Sequence, residues 1–153
     1  PVFVAKASLF KIPIFGKAML RRGHIPISRE NRRQAMQSIE QAVKSAQKGN
    51  SIVIFPEGTR STQELGDFKI GGIILALKTQ LPVVPVLIQG TGYICPKGTC
   101  SVLPGQILVR ILPPLNLHGK YSLKDREHFK ADLWSLMHTH FVETQKCLKK
   151  TER

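Results

Sequence analysis

Seven consecutive residues, Phe55-Pro56-Glu57-Gly58-Thr59-Arg60-Ser61, bring together groups that can handle a phosphate-bearing substrate. A guanidinium donates two parallel hydrogen bonds to phosphate oxygens, a geometry that a Lys ammonium lacks, so Arg60 is the candidate anion ligand. Glu57 can anchor that arginine or accept a hydrogen bond from a substrate hydroxyl. Gly58 lets the backbone approach a ligand closely, and Thr59 adds a hydroxyl. Read without a ligand, the same residues are a surface turn with an ion pair of little energetic weight. Spacing alone leaves both readings open. A second cluster is Gly23-His24-Ile25-Pro26-Ile27-Ser28-Arg29, an extended apolar piece ending in an arginine. Arg29 can join Arg60 on one phosphate, or it is an exposed cation at a helix start, where the dipole gives it nothing.

The elements that must carry these residues follow from periodicity. Ala35, Met36, Ile39, Ala42, Val43 and Ala46 recur at three- and four-residue steps, which predicts an amphipathic helix from about Glu30 to Lys48. Gly49-Asn50 stops it. The β-branched run Ser51–Phe55 then reads as a buried strand ending at Pro56. A short helix over Gly71–Thr79, strands over Val83–Ile88 and Gln106–Leu112, and a long helix over Leu123–Lys149 complete the pattern. Ser122 and Asp125 resemble a capping box, with Asp in place of Glu, at the start of that helix, whose inward stripe is Phe129, Leu133, Leu136, Met137, Phe141 and Leu148. Alternating helices and strands predict an α/β fold, a mostly parallel sheet with crossover helices, in a single domain over residues 1–153 with its C-terminal helix in 122–150. In such a sheet ligands bind beyond the strand C-termini, which is where Glu57, Gly58, Thr59 and Arg60 fall.

The 153 residues carry a formal net charge of +13. Residues 1–33 hold Lys6, Lys11, Lys17, Arg21, Arg22, Arg29, Arg32 and Arg33 against Glu30 alone. Phe3, Leu9, Phe10, Ile12, Ile14, Phe15, Met19 and Leu20 are interleaved with them. This mixture suits an anionic membrane interface, to which Lys11, Lys17, Arg21 and Arg22 are assigned; a plain solvated basic face is the competing reading. Aromatic residues make up only 7% and no nucleic-acid motif is present, which argues against a nucleic-acid partner. Cys95, Cys100 and Cys147 lack zinc-site spacing and a disulfide framework. His138 and His140, two apart on a helix, do not share a face, so no metal site is expected. No stretch is long enough to span a bilayer.

Four segments in order, Gly23–Arg29, Phe55–Ser61, Phe68-Lys69-Ile70-Gly71-Gly72 and Leu81-Pro82-Val83-Val84-Pro85-Val86, resemble successive blocks of the glycerolipid acyltransferases. The chain is most similar to the bacterial-type 1-acylglycerol-3-phosphate (lysophosphatidic acid) acyltransferases, from Phe3 to about Thr91. The resemblance implies a glycerolphosphate acyltransferase-like fold. It also implies transfer of a fatty acyl group from acyl-CoA or acyl carrier protein to the free hydroxyl of lysophosphatidic acid, without a cofactor, at the cytoplasmic face of the inner membrane. By the same resemblance Arg29 and Arg60 contact the phosphate, and Glu57, Gly58 and Thr59 bind the acceptor. Lys69 and Pro85 support the site. Lys69 keeps the first of two basic positions of its block, and Ile70 replaces the second.

The family's general base lies in a His-x4-Asp block upstream of the segment matching Phe3–Lys6. Of the five histidines only His138 has a carboxylate five residues later, Glu143, and that pair is in the terminal helix. The expectation is therefore a sequence truncated before the catalytic block, consistent with Pro1 as first residue, and inactive or nearly so as it stands, because general-base help is worth about 10²–10⁴-fold. The alternative is a catalytically inactive basic module that binds lysophospholipid or anionic membrane.

Overall fold

The computed structural model describes residues 1–28, 31–59, 64–96, 98–99 and 101–151, with side chains as far as 146. The chain opens with strand β1 (Val2–Lys6), a 3₁₀ turn over Ala7–Lys11, helix α1 (Phe15–Arg21) and strand β2 (Ile25–Ile27). Helix α2 (Arg32–Gln47) and strand β3 (Ile52–Val53) follow, then helix α3 (Ile70–Thr79) and strand β4 (Val86–Gln89). Helix α4 (Thr91–Ile94), strand β5 (Leu108–Ile111), a 3₁₀ turn over Leu123–Asp125 and helix α5 (Arg126–Thr151) end it.

Strands β2, β1 and β3 lie side by side in that order, all parallel, with Val4 opposite Ile25 and Val2 opposite Ile52. Parallel neighbours require crossovers, supplied by α1 between β1 and β2 and by α2 between β2 and β3. The predicted stripe of α2 is the reason it packs there. Ile39, Ala42 and Ala46 are buried, and Ile39 and Ala42 meet Val2, Val4, Ile25 and Leu75 in one cluster. The helix starts slightly later than expected, capped by the Asn31 side chain, which accepts from the Gln34 N–H at 3.1 Å. Ser38, buried on the same face, donates to the Pro26 carbonyl at 2.6 Å and ties the helix to β2.

The mixed α/β expectation holds, with two differences. The strand predicted over 51–55 is regular only at Ile52 and Val53, because Ile54 and Phe55 already turn toward Pro56. The last two strands pair with each other and antiparallel, Val86 opposite Ile111 and Ile88 opposite Val109, with a further bridge between Val83 and Leu115. Alternation gives this pair two unlike faces. Leu87 and Gln89 are buried toward α5, while Val86, Ile88, Val109 and Ile111 are exposed.

The larger core joins Phe68, Ile73 and Leu77 to Leu87, Leu112 and Leu117 and to Phe129, Leu133 and Met137 of α5. The capping box is present as predicted: Asp125 accepts from the Ser122 N–H at 2.8 Å, and the Ser122 hydroxyl accepts from backbone at the start of the helix. Phe68, with 1% of its surface exposed, plugs the loop after β3 into this core. Phe68→Ala should cost about 3–5 kcal/mol, a large share of a typical domain's stability. Urea unfolding monitored by circular dichroism checks it; a midpoint equal to that of the unaltered chain would contradict the packing role.

Candidate functional site

Because β1, β2 and β3 are parallel, the segments that leave their C-termini emerge at one edge of the sheet. These are the basic turn at Ala7–Lys11, the segment beginning at Ser28, and Ile54–Thr59. The last is a β-turn closed by the Gly58 N–H donating to the Phe55 carbonyl at 3.1 Å. Pro at its second position and Gly at its fourth are favoured turn chemistry, and Gly58 sits at φ 68°, where a side chain would be strained.

The turn is held by a longer loop that folds back on it. The Lys69 N–H donates to the Pro56 carbonyl at 2.8 Å, and the Gly66 N–H donates to Glu57 Oε2 at 2.7 Å. A Cβ at residue 66 would itself lie 2.7 Å from that carboxylate oxygen and would push the Glu57 side chain out of this position. Two residues of α5 grip the same stretch. Trp134 Nε1 donates to the Gly66 carbonyl at 3.1 Å, and Lys130 Nζ lies 2.9 Å from Asp67 Oδ1. The hydrogen bond from Lys130 holds the Asp67 carboxyl below its ordinary pKa.

Of the residues predicted for the site, Glu57 and Gly58 are half-buried at this turn and Thr59 is exposed at its end. Arg29 and Arg60 lie outside the described residues. Lys69 is exposed beside the turn, with its backbone committed to Pro56. Pro85 is buried at the entrance to β4, its carbonyl accepting from the Leu112 N–H at 2.9 Å, and so belongs to the second sheet. Lys11, Lys17, Arg21 and Arg22 are all exposed. Between them Phe15 N–H donates to the Pro13 carbonyl at 2.6 Å around Ile14, whose φ of 65° and ψ of −60° describe a rare, strained γ-turn. The strain presents Ile14 to solvent at 85% exposure, flanked by exposed Ile12 and Phe15.

The histidines serve local structure. His24 Nδ1 accepts from the Phe3 N–H at 3.1 Å. His138 stacks on Trp134 with ring centroids 4.6 Å apart, and His140 Nδ1 lies 3.1 Å from Glu143. Glu143 is also bonded by Arg110 at 2.9 Å, and its two partners, His140 first, lower its pKa. Among the described residues no three His, Cys, Asp or Glu side chains are grouped to hold a metal.

Gly66, Asp67, Lys130 and Trp134 were not legible as site residues. The one hint was that the only tryptophan of the chain sits on an otherwise ordinary amphipathic helix.

A parallel sheet with crossover helices and an ordered polar turn at the ends of its strands makes this an α/β domain, a class in which ligands generally bind beyond the strand C-termini. The family model described as Acyltransferase matches residues 1–89, more than half the sequence, and the chain belongs to that acyltransferase family. It is 39% identical over 115 residues to a chloroplastic 1-acyl-sn-glycerol-3-phosphate acyltransferase of Brassica napus, covering 74% of this chain and 33% of the relative. An enzyme of the same name from Limnanthes douglasii is 42% identical over 117 residues, covering 75% of this chain and 42% of the relative. The Pseudomonas aeruginosa enzyme of that name is 34% identical over 119 residues, covering 76% and 46%. Among solved structures, the 1-acyl-sn-glycerophosphate acyltransferase PlsC from Thermotoga maritima superposes with a TM-score of 0.73 at 30% identity, over 95% of this chain and 56% of that one. The chain thus spans less than half the length of these three curated relatives.

The lowered Asp67 pKa carries a signed expectation. Its tie to Lys130 contributes stability that is full above the ordinary aspartate range and is lost as the pH falls through the depressed value. The stability difference between the unaltered chain and Asp67→Asn should therefore shrink toward zero on acidification. Thermal melts from neutral pH to pH about 2 test this, and a constant difference across the series would refute it.

Proposed function

We propose that this chain supplies the acceptor-binding part of a 1-acylglycerol-3-phosphate O-acyltransferase, which makes phosphatidic acid from lysophosphatidic acid and acyl-CoA or acyl carrier protein without a cofactor. The observation that carries this reading is the Pro56–Thr59 turn, held at the C-terminal edge of the parallel sheet by Glu57 and Gly66, in a chain of the acyltransferase family.

Arg29 and Arg60 take the acceptor phosphate; each can offer a fork of donors to its oxygens. Gly58 and Thr59 bring backbone and hydroxyl close to the glycerol, and Glu57 fixes the turn from behind. Lys69 adds positive charge next to it, and Pro85 shapes the neighbouring sheet. In the reaction the acceptor hydroxyl oxygen bonds to the thioester carbonyl carbon, the carbon–sulfur bond breaks, and the hydroxyl proton passes to a base. That base is assigned to none of the five histidines of this sequence, so the residues here bind and orient the acceptor.

The acceptor is an amphiphile drawn from a lipid surface. No helix among the described residues is long and apolar enough to cross a membrane. The exposed Ile12, Ile14, Phe15 and Leu20, bracketed by Lys11, Lys17, Arg21 and Arg22, fit instead a peripheral contact with anionic lipid at the cytoplasmic face.

Arg60→Ala should weaken binding of a short-chain lysophosphatidic acid about tenfold or more, the usual weight of a charge-assisted pair. Calorimetric titration reads it, and unchanged affinity would remove Arg60 from the phosphate site. For the lipid contact, vesicles containing anionic phospholipid should bind the chain at least about tenfold more tightly than neutral ones at low salt, and Ile14→Asp should reduce both. Equal binding to the two vesicle types would sink the assignment.

A further inference from the structure

We infer that Trp134 and Lys130 of α5 are positioning residues for the acceptor turn, acting through Gly66 and Asp67 on Glu57. The inference deepens the reading proposed above and rests on it for the word acceptor. Both peptide groups of Gly66 are engaged: its N–H donates to Glu57 Oε2 at 2.7 Å and its carbonyl accepts from Trp134 Nε1 at 3.1 Å. The next residue, Asp67, is held by Lys130 at 2.9 Å, and the one after, Phe68, is buried in the core that includes Phe129 and Leu133.

Lys130 and Trp134 are four residues apart, so they rise from one face of the helix and meet consecutive residues of the loop. The Lys130 side chain is only 24% exposed although that of its partner Asp67 is 69% exposed, so the cation reaches the loop along a stem packed against the protein. His138, one turn further along, stacks on the indole at an interplanar angle of 13° and limits its rotation. An indole N–H that is partly buried needs an acceptor, and a loop carbonyl supplies it here. The helix that does this lies wholly beyond residue 89, where the match to the family model ends. The turn thus takes its support from a part of the chain that this match does not cover.

The consequence is that the orientation of the Glu57 carboxylate, and with it the pitch of Gly58 and Thr59, is set across the loop by α5. Lys130→Ala removes the ion pair, Trp134→Phe keeps the ring and removes the donor, and Lys130→Arg restores the charge. Amide hydrogen exchange of the 153-residue chain reads the Gly66 N–H without any ligand, and calorimetry with short-chain lysophosphatidic acid reads the turn. Lys130→Ala and Trp134→Phe should each speed exchange at Gly66 about five- to tenfold, the weight of one hydrogen bond, and weaken lysophosphatidic acid by a similar factor. Lys130→Arg should recover both, and Lys124→Ala, at an exposed position in the 3₁₀ turn before α5, should change neither. Unchanged exchange at Gly66 in both variants overturns the inference, as does faster exchange with unaltered lysophosphatidic acid affinity. If the unaltered chain binds no lysophosphatidic acid while exchange responds as described, the acceptor reading fails and the coupling of α5 to the turn is upheld.

Discussion

The hydrogen bond from the Gly66 N–H to the Glu57 carboxylate is the side-chain contact that ties the polar turn to the loop folded back on it. A carboxylate beside a turn at a strand end gains little from water-exposed ion pairs, and alone it would sample many rotamers. Committing one oxygen to a backbone donor at 2.7 Å restricts the side chain and uses the stronger, charge-assisted kind of bond. The same bond closes a loop whose other end is pinned by Lys69 on Pro56 and by Phe68 in the core. Glycine at 66 permits this close approach, since a Cβ there would push the carboxylate oxygen aside.

Parallel strands generally need cover on both faces. Here the cover is uneven. The faces of the two sheets that meet α2, α3 and α5 hold the buried residues, Val2, Val4 and Ile25 in one and Leu87 and Gln89 in the other. The apolar exposure of the second sheet is concentrated on its opposite face, at Val86, Ile88, Val109 and Ile111. Gln89 is buried on the covered face: its Nε2 donates to the Phe141 carbonyl at 3.0 Å, while its Oε1 meets no hydrogen-bond partner among the described residues. Beside it, Arg110 reaches Glu143, so α5 is attached to the strands by polar contacts at this end and by Phe129, Leu133 and Met137 at the other.

What was legible in the sequence was what local spacing encodes. The stripe of α2 and the capping box at Ser122 depend on residues three and four apart, and both elements stand within a few residues of expectation. The position of Glu57, Gly58 and Thr59 past a strand end was legible because Pro56 punctuates a β-branched run. The antiparallel pairing of β4 with β5 was not, since a short apolar strand reads alike in either direction and its partner is set by tertiary contacts. No periodicity assigns a strand to Val2–Lys6, although it became the central strand of the parallel sheet. The grip of Trp134 on Gly66 spans 68 residues of sequence. Neither residue type predicts the other, and only the fold brings them together.

The basic excess of the first 33 residues takes on a geometric meaning from the parallel sheet. Lys11 closes the turn that follows β1, and Pro56–Thr59 follows β3, so both leave the same edge, with β1 and β3 adjacent. If the turn binds the acceptor phosphate as proposed, a cationic, apolar surface at the same edge of the sheet would present lipid headgroups at a local concentration that diffusion from bulk water does not reach. On the function proposed above, the two sets of charges then serve successive steps. Lys11 and Lys17 meet the surface by long-range attraction, which salt screens over about 8–10 Å. Arg29 and Arg60 act at contact distance, where bidentate geometry matters more than net charge. Raising the ionic strength separates the two: it weakens the first step steeply and the second only modestly, so lipid binding and headgroup binding by the same chain should differ in their salt dependence.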